Sequence, residues 1–363
     1  MNAVSKEKRI KHVGADVGYD FVKIVTDLNN SLGQICFSGN VYKPIGTNMN
    51  LQQTDFSERR MSVSYKGVDY TLGDYAILQD TKGGLKDFDD QKYKTDEEIV
   101  KLFTGLLAIV QKNRNLDMLD EIIVENLGFG LSINLYNQYK EDVEDTFEDT
   151  TFEFHVPVNG NKKKIKMTIE NVTCFAEGVG AFFDLLIDKD IDITDINLFR
   201  ERFAVADLGG RTFDGIIGQE DEIIPNSNIS LEYGVLNVFE NVAKNHFENI
   251  PYPFIQKLYI PNDGLTKKPF KGKTITSKEV RKACDPHFKE LVNEIYSQIK
   301  NRWKDQLDFV AKFVNCGGAA SILEKYLNEK FEKEDIYLNI GTSDRPQLAN
   351  ARGFYKMIAL KSS

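Results

Sequence analysis

Cysteine, histidine, proline and tryptophan are all scarce in this 363-residue chain, which has four cysteines, four histidines, nine prolines and one tryptophan. The cysteines are far apart and form no local pair with a histidine. Disulfide-rich small domains and zinc knuckles need closely spaced ligands, so the sequence excludes both. The prediction is four free, mostly buried thiols: Cys36, Cys174, Cys284 and Cys316.

Long apolar runs and an excess of positive charge are also lacking. No stretch approaches the roughly 18 uninterrupted apolar residues that a membrane helix needs. The basic start leads into a Gly-Ala-Asp segment rather than into the apolar core of a signal peptide, so we expect a cytoplasmic protein without membrane contact. The net charge of −9 argues against direct DNA binding, because affinity for the phosphate backbone comes from clustered Lys and Arg.

Strand and helix patterns alternate along the chain. Strand-turn-strand segments are predicted over 10–28 and 202–218, and a hairpin over 151–172 around an Asn-Gly pair. Helices are predicted after Thr95 and over 177–187, 232–248, 277–308 and 319–330, with Ser277 as the N-cap of the longest. This alternation indicates an α/β architecture.

Two of the strand-turn-strand segments resemble each other. VGADVG (13–18) and AVADLG (204–209) lie 191 residues apart, about half the chain, which predicts two related domains facing each other across a cleft. Glycines let the backbone approach anionic oxygens, whereas an aspartate at a strand end repels phosphate unless a divalent cation lies between them. The pair of turns therefore predicts a Mg²⁺–polyphosphate ligand beside Asp16 and Asp207.

Two further features strengthen this prediction. Lys23 follows Asp16 by seven residues, on the second strand of the turn, from where its ammonium group can reach back toward a phosphate. A solvent-facing strand lysine is the alternative. A third glycine turn, Gly317-Gly318, follows the strand predicted over 309–316.

The order of four segments carries a family resemblance. ADVGYDFVK (15–23), FAEGVGAF (175–182), VADLGGRTFDG (205–215) and FVNCGGAASILEKYL (313–327) resemble the phosphate 1, connect 1, phosphate 2 and adenosine motifs of the actin, sugar kinase and heat-shock chaperone ATPase superfamily. The segment 350–356 resembles connect 2. The resemblance implies an α/β fold of two related actin-like (ribonuclease H-like) domains around a nucleotide cleft, with 1–172 plus 346–363 as domain I and 173–345 as domain II.

The same resemblance implies roles for individual residues. Asp16 and Asp207 would hold Mg²⁺ through coordinated waters, and Glu177 would orient the attacking water, so that Glu177 and Asp207 form the catalytic pair. An acidic residue favoured by a helix N-terminus is the alternative for Glu177. The residues that would contact the nucleotide are Gly18, Tyr19, Lys23, Gly209, Gly210, Arg211, Gly317 and Gly318.

Two positions depart from the superfamily pattern. Tyr19 stands where a small hydroxyl residue is usual, so the side-chain hydrogen bond to phosphate at that position is not expected in the same form. Arg211 stands where many relatives carry Thr, and it either acts as an extra phosphate ligand or points into solvent. Neither departure removes the two aspartates.

Within the superfamily the sequence most resembles the ParM group of plasmid-segregating bacterial actins, in which the ADLGGRTFDG and FAEG segments have close counterparts. This resemblance implies Mg²⁺-dependent binding and hydrolysis of ATP or GTP, polymerisation into a helical filament, and a DNA-bound adaptor protein as partner. The alternatives are a monomeric small-molecule kinase or chaperone-type ATPase on the same scaffold, and a nucleotide-binding scaffold with negligible turnover.

Overall fold

The computed structural model describes residues 6–18, 21–43, 60–79, 92–113, 116–158, 161–220, 222–248, 250–260, 266–270, 272–334, 336 and 338–362. Tyr19 and the predicted turn residues Asn159-Gly160 lie outside this set. The chain divides into two compact units: unit 1 is Met1–Asp195 with Leu348–Ser363, and unit 2 is Ile196–Gln347.

The first part of unit 1 contains most of its strands. In chain order the elements are β1 (Glu7–Val17), β2 (Phe21–Val25), β3 (Gln34–Ser38), β4 (Val41–Tyr42), β5 (Met61–Tyr65), β6 (Val68–Leu72), α1 (Asp74–Gln79), α2 (Asp96–Asn113), β7 (Glu121–Leu131), α3 (Ile133–Phe147), β8 (Thr150–Val158), β9 (Asn161–Ala176) and α4 (Val179–Leu186).

Unit 2 follows, and the last helix returns to unit 1. Its elements are α5 (Ile196–Arg200), β10 (Arg202–Leu208), β11 (Phe213–Gln219), β12 (Glu222–Ile223), β13 (Ile229–Leu231), α6 (Val235–His246), α7 (Tyr252–Tyr259), β14 (Lys267–Phe270), β15 (Lys273–Thr276), α8 (Ser277–Trp303), β16 (Val310–Cys316), α9 (Ala320–Lys333) and β17 (Ile340–Thr342). The helix α10 (Ala349–Lys361) closes unit 1.

The described strands of unit 1 form one mixed sheet in the order β3-β2-β1-β7-β9-β8-β5-β6-β4. β1 and β7, and β7 and β9, pair in parallel, whereas the other neighbours are antiparallel. The second half of β1 is buried at every position, as expected of a parallel strand that is covered on both faces. Helices α2 and α10 both contact β1.

The sheet of unit 2 has the order β12-β11-β10-β16-β17, with β13 also pairing with β11. β10 and β16, and β16 and β17, are parallel, and β14 and β15 form a separate hairpin. Residues from α6, α8 and α9 pack with this sheet in one apolar core that includes Phe239, Phe288 and Trp303. The predicted strand-turn-strand and helix order is therefore present in both units.

Some predicted boundaries differ from those observed. The N-cap of α8 is Thr276 rather than Ser277, because the Thr276 hydroxyl accepts the N–H of Glu279 while the Glu279 carboxylate accepts the N–H of Thr276. This reciprocal capping box needs an acidic residue three positions after the cap. The helix ends at Trp303, not at 308, and α4 begins at Val179 rather than at Glu177.

The compact units also divide the chain differently from the predicted domains. The prediction changes domain after residue 172, but unit 1 extends to Asp195. The physical reason is that β9 continues in the unit 1 sheet to Ala176 and that α4 packs against α10. The return to unit 1 occurs at Leu348 instead of 346.

Two further expectations from composition concern the cysteines and membrane-spanning helices. None of the four cysteines is in a disulfide, and three of the four are buried, which confirms the predicted thiols. Among the described residues, no helix combines the length and the apolar character needed to cross a membrane.

Helices α4 and α10 approach each other through glycines. A Cβ atom added to Gly353 would overlap the backbone carbonyl of Gly180, and one added to Gly180 would lie 2.7 Å from the carbonyl oxygen of Asn350. At the other end of α4, the Lys356 ammonium donates hydrogen bonds to the carbonyl oxygens of Asp184 and Ile187, at 2.6 and 2.7 Å. α10 thus contacts α4 along its whole length.

This contact generates a prediction about Gly353. In an isolated helix Gly→Ala is favourable by about 1 kcal/mol, but here the added methyl group overlaps backbone that cannot rotate away. We expect Gly353→Ala to lower the free energy of unfolding by about 3 kcal/mol in urea titrations. Gly67→Ala is the matched control, since Gly67 has a φ of 79° and no atom within 4 Å of an added Cβ. It should cost only about 1 kcal/mol, and equal losses would contradict the overlap argument.

Candidate functional site

The first predicted turn connects β1 to β2 in unit 1. The N–H of Gly18 donates a 3.0 Å hydrogen bond to the carbonyl of Phe21, which closes the turn. Antiparallel pairing then places Asp16 directly opposite Lys23. The Lys23 Nζ atom lies 3.2 Å from each carboxylate oxygen of Asp16. The structure therefore brings together the predicted metal ligand and the predicted phosphate ligand.

The ion pair between Lys23 and Asp16 is largely buried. Only 15% of the Lys23 side chain and 7% of the Asp16 side chain are exposed, so Lys23 is not the solvent-facing lysine that sequence reasoning left as an alternative. Breaking a buried pair leaves an uncompensated charge in a poorly solvated place. An incoming phosphate can compensate Lys23, and a cation can compensate Asp16, so a Mg²⁺–phosphate ligand suits both charges at once.

The second predicted turn, between β10 and β11 in unit 2, repeats this geometry. The N–H of Gly209 donates a 2.9 Å hydrogen bond to the carbonyl of Thr212, and Asp207 lies opposite Asp214. In both turns the glycine follows the aspartate by two residues. The residue opposite the aspartate on the next strand follows that aspartate by seven. The two segments are thus equivalent in backbone hydrogen bonding as well as in sequence.

The charge opposite the aspartate differs between the two turns. Unit 1 has an ammonium group at that position, whereas unit 2 has the second carboxyl group of Asp214. Burial raises the pKa of Asp214, and the Ser230 hydroxyl donates a 2.7 Å hydrogen bond to its Oδ1 atom. Like charges directly opposite each other in a sheet are unfavourable. In unit 2 the residue opposite the aspartate is therefore a second carboxyl group rather than a cation.

The Gly317 turn packs against Asp207. Parallel pairing places Cys316 beside Asp207, and Gly317 follows with a φ of 88°, which is strained for other residues. A Cβ at Gly317 would overlap the carboxylate of Asp207 and lie 2.5 Å from the carbonyl oxygen of Leu208. Gly318, in contrast, meets no atom closer than 3.7 Å. The predicted metal ligand and the predicted adenosine turn of unit 2 are therefore neighbours.

Arg211 contacts two helices of unit 2. Its guanidinium forms a 2.7 Å ion pair with Glu240 of α6 and lies 5.6 Å above the ring of Tyr252 of α7. The carbonyl of the adjacent Gly210 accepts the N–H of Leu236, at 2.9 Å. In this structure Arg211 therefore holds the turn against α6 and α7 rather than pointing into solvent.

Glu177 lies in a short turn between β9 and α4. Its N–H donates a 2.7 Å hydrogen bond to the carbonyl of Leu131, and its side chain is half-buried. The next residue, Gly178, has a φ of 89° and donates its N–H to the Oδ1 atom of Asn350, at 2.9 Å. Sequence reasoning identified the FAEG segment but missed Asn350, since its partner lies 172 residues away.

The metal prediction can be tested against the donor chemistry. No group of three or more His, Cys, Asp or Glu residues suited to a metal ion occurs in the part of the chain that the structure describes. Mg²⁺ commonly keeps several waters and takes only one or two carboxylates together with substrate phosphates. The aspartates beside the glycine turns, Asp16 in unit 1 and Asp207 with Asp214 in unit 2, fit such a partly hydrated ion.

Comparisons with protein families agree with the motif order. The model described as "Actin like proteins N terminal domain" matches residues 14–180, and "Archaeal actin homologue MreB-like, C-terminal" matches residues 205–329. The chain is an actin-like protein. The predicted resemblance to this family is confirmed. A comparison with curated proteins finds no match.

Solved structures give the same result for the fold of this actin-like protein. Actin-like protein Alp7A is similar with a TM-score of 0.76 and 17% identity over 98% of this chain and 97% of that one. ParM of Bacillus thuringiensis with ADP gives 0.70 and 15%, over 97% and 99%. An Alp12 filament structure gives 0.61 and 18%, over 99% and 100%. The predicted α/β, actin-like two-domain fold is confirmed.

The raised pKa of the half-buried Asp214 generates a prediction about pH. Its pKa is raised above the ordinary value of 3.8, so the folded chain keeps this proton to a higher pH than the unfolded chain does. The contribution of protonated Asp214 to stability is complete below 3.8, the ordinary value, and is lost as the pH rises through the higher pKa of the folded chain. Asp214→Asn removes this loss and keeps an oxygen for Ser230. We expect the variant to gain stability relative to the parent as the pH rises above 3.8 and through the raised pKa of the folded chain.

Urea titrations at several pH values, without Mg²⁺ or nucleotide, measure the difference. Glu279→Gln is the control of opposite sign, because hydrogen bonds from Thr276 hold the pKa of Glu279 below its ordinary value of 4.5. That variant should lose stability relative to the parent as the pH rises toward 4.5, and the loss should be complete above that value. A difference between Asp214→Asn and the parent that does not change with pH would contradict the assigned burial.

Proposed function

We propose that this protein binds ATP or GTP with Mg²⁺, polymerises into a helical filament and hydrolyses the nucleotide to move plasmid DNA. The observation that carries the proposal is the pair of equivalent turns, in which Asp16 and Asp207 occupy the same place relative to a hydrogen-bonded glycine. A solved relative, ParM of Bacillus thuringiensis, contains ADP.

Within this proposal each turn has a role in nucleotide binding. Asp16 and Asp207 would hold Mg²⁺ through coordinated waters, and Gly18, Gly209 and Gly210 would present backbone N–H groups to the phosphates. Lys23 would exchange its contact with Asp16 for the β/γ-phosphates. Tyr19 and Arg211 would contact the nucleotide, Arg211 after leaving Glu240, and Gly317 with Gly318 would contact the adenosine or guanosine. When bound, Mg²⁺ neutralises charge on the phosphate oxygens.

Glu177 is the residue that we propose to orient the attacking water. Its position after β9 is fixed by the backbone hydrogen bond to Leu131, and a half-buried carboxylate at a strand end can accept a hydrogen bond from water. Asp207 would take part by holding the metal ion. The turn next to α4 also fits the alternative of an acidic residue at a helix N-terminus, and the experiment below separates the two.

Assembly into a filament and a role in plasmid partition rest on the relatives. Alp12 is known in a filament structure, and a head-to-tail contact that does not close into a ring produces a helix. The net charge of −9 favours an indirect link to DNA through a basic, DNA-bound adaptor protein in the cytoplasm. A monomeric small-molecule kinase or chaperone-type ATPase on the same scaffold is the alternative.

Sedimentation tests the filament. With ATP or GTP and Mg²⁺, we expect the protein to pellet above a critical concentration and to remain in the supernatant without nucleotide, because nucleotide binding favours the assembling state. Electron microscopy of the pellet identifies filaments. A protein that hydrolyses nucleotide but stays monomeric at every concentration would favour the alternative.

Phosphate release tests Glu177. We expect Glu177→Ala to bind nucleotide normally, to stabilise the polymer and to release phosphate more slowly by a factor on the order of 10². Asp207→Ala serves as the contrasting variant, because it should weaken Mg²⁺–nucleotide binding itself. Unchanged release by Glu177→Ala would assign Glu177 to the helix N-terminus alone.

A further inference from the structure

Asn350 lies in the first turn of α10 and contacts the turn that carries Glu177. We propose that Asn350 is a positioning residue for nucleotide hydrolysis, which acts by fixing the backbone of Gly178 and thereby the direction of the Glu177 carboxylate. The inference rests on the proposed function, since it requires Glu177 to act on the attacking water.

The turn is held on two sides. The N–H of Glu177 donates to the carbonyl of Leu131 on β7, at 2.7 Å, and the N–H of Gly178 donates to Oδ1 of Asn350, at 2.9 Å. Two consecutive peptide groups are thus tied to two different elements. Because the side chain of Glu177 leaves the backbone between these two groups, its direction depends on both hydrogen bonds.

Burial makes the contact from Asn350 hard to replace. Asn350 is 4% exposed and Gly178 is also buried, so water cannot readily substitute for the amide oxygen. The φ of Gly178, at 89°, lies in a region that glycine enters freely but does not prefer. A glycine in this position needs an outside contact to stay in one conformation, and Asn350 supplies it.

The rest of α10 makes this placement rigid. Asn350, Gly353 and Lys356 follow one another at intervals of three residues and therefore share a face of the helix. Gly353 meets the backbone of Gly180, and Lys356 meets the carbonyl oxygens at the end of α4. Of these three, Asn350 is the one that contacts the turn before α4.

The test compares Asn350→Leu with Asn350→Asp. Leucine has nearly the same shape but no acceptor, whereas a carboxylate oxygen can accept the same N–H. We expect Asn350→Leu to lower kcat about 10- to 100-fold, with KM and nucleotide affinity changed by less than about two-fold. Asn350→Asp should restore most of kcat. Equal losses in both variants would overturn the proposal.

A stability control separates positioning from general damage to α10. Met357→Ala removes a buried side chain from the same helix, about two turns beyond Asn350. All variants are assayed at a temperature where circular dichroism shows them folded. Turnover should then remain near the parent value in Met357→Ala, and a fall that matches the one in Asn350→Leu would overturn the proposal.

The double variant Glu177→Ala/Asn350→Leu completes the experiment. Because Asn350 acts through Glu177, we expect no further loss beyond that of Glu177→Ala alone. A further loss of the full Asn350→Leu factor would overturn the positioning role. If Glu177→Ala lowers turnover and Asn350→Leu does not, only the role of Asn350 fails. Normal turnover in Glu177→Ala, or no turnover in the parent, removes the assigned role of Glu177 and this inference with it.

Discussion

Antiparallel pairing across a short, glycine-closed turn decides what stands beside each candidate metal ligand. Once Gly18 and Gly209 have closed their turns, the residue seven positions after the aspartate must lie opposite it. Evolution can then change the charge at that one position without changing the backbone. In unit 1 the position holds Lys23, and in unit 2 it holds Asp214.

This arrangement gives two similar turns different electrostatics. The aspartate of unit 1 is compensated within its own hairpin, whereas the aspartate of unit 2 lies opposite a second carboxyl group that is half-buried and hydrogen-bonded to Ser230. The strand before each turn also has a parallel neighbour: β7 pairs with β1, and β16 pairs with β10. This backbone pairing supports each turn and does not depend on side-chain identity.

Sequence patterns predicted the parts of this molecule that depend on local residues. The turns at Gly18, Gly209 and Gly317, and the helices near 96, 235, 277 and 320, follow from nearby glycines, caps and apolar spacing. Contacts between distant residues were beyond such reasoning. The partner of Arg211 is Glu240, the partner of Gly178 is Asn350, and the extension of unit 1 to Asp195 depends on α10.

The placement of α10 has a consequence for how the chain folds. Unit 2 is inserted between Met1–Asp195 of unit 1 and the helix α10, so the helix that covers Gly14 and packs on α4 is synthesised only after all of unit 2. Unit 2 is one continuous range of the chain and can fold as soon as it has been synthesised. Unit 1 cannot cover the face of its sheet that packs on α10 until α10 has been synthesised. Synthesis of α10 is therefore also the event that covers the unit 1 sheet and fixes the turn at Glu177.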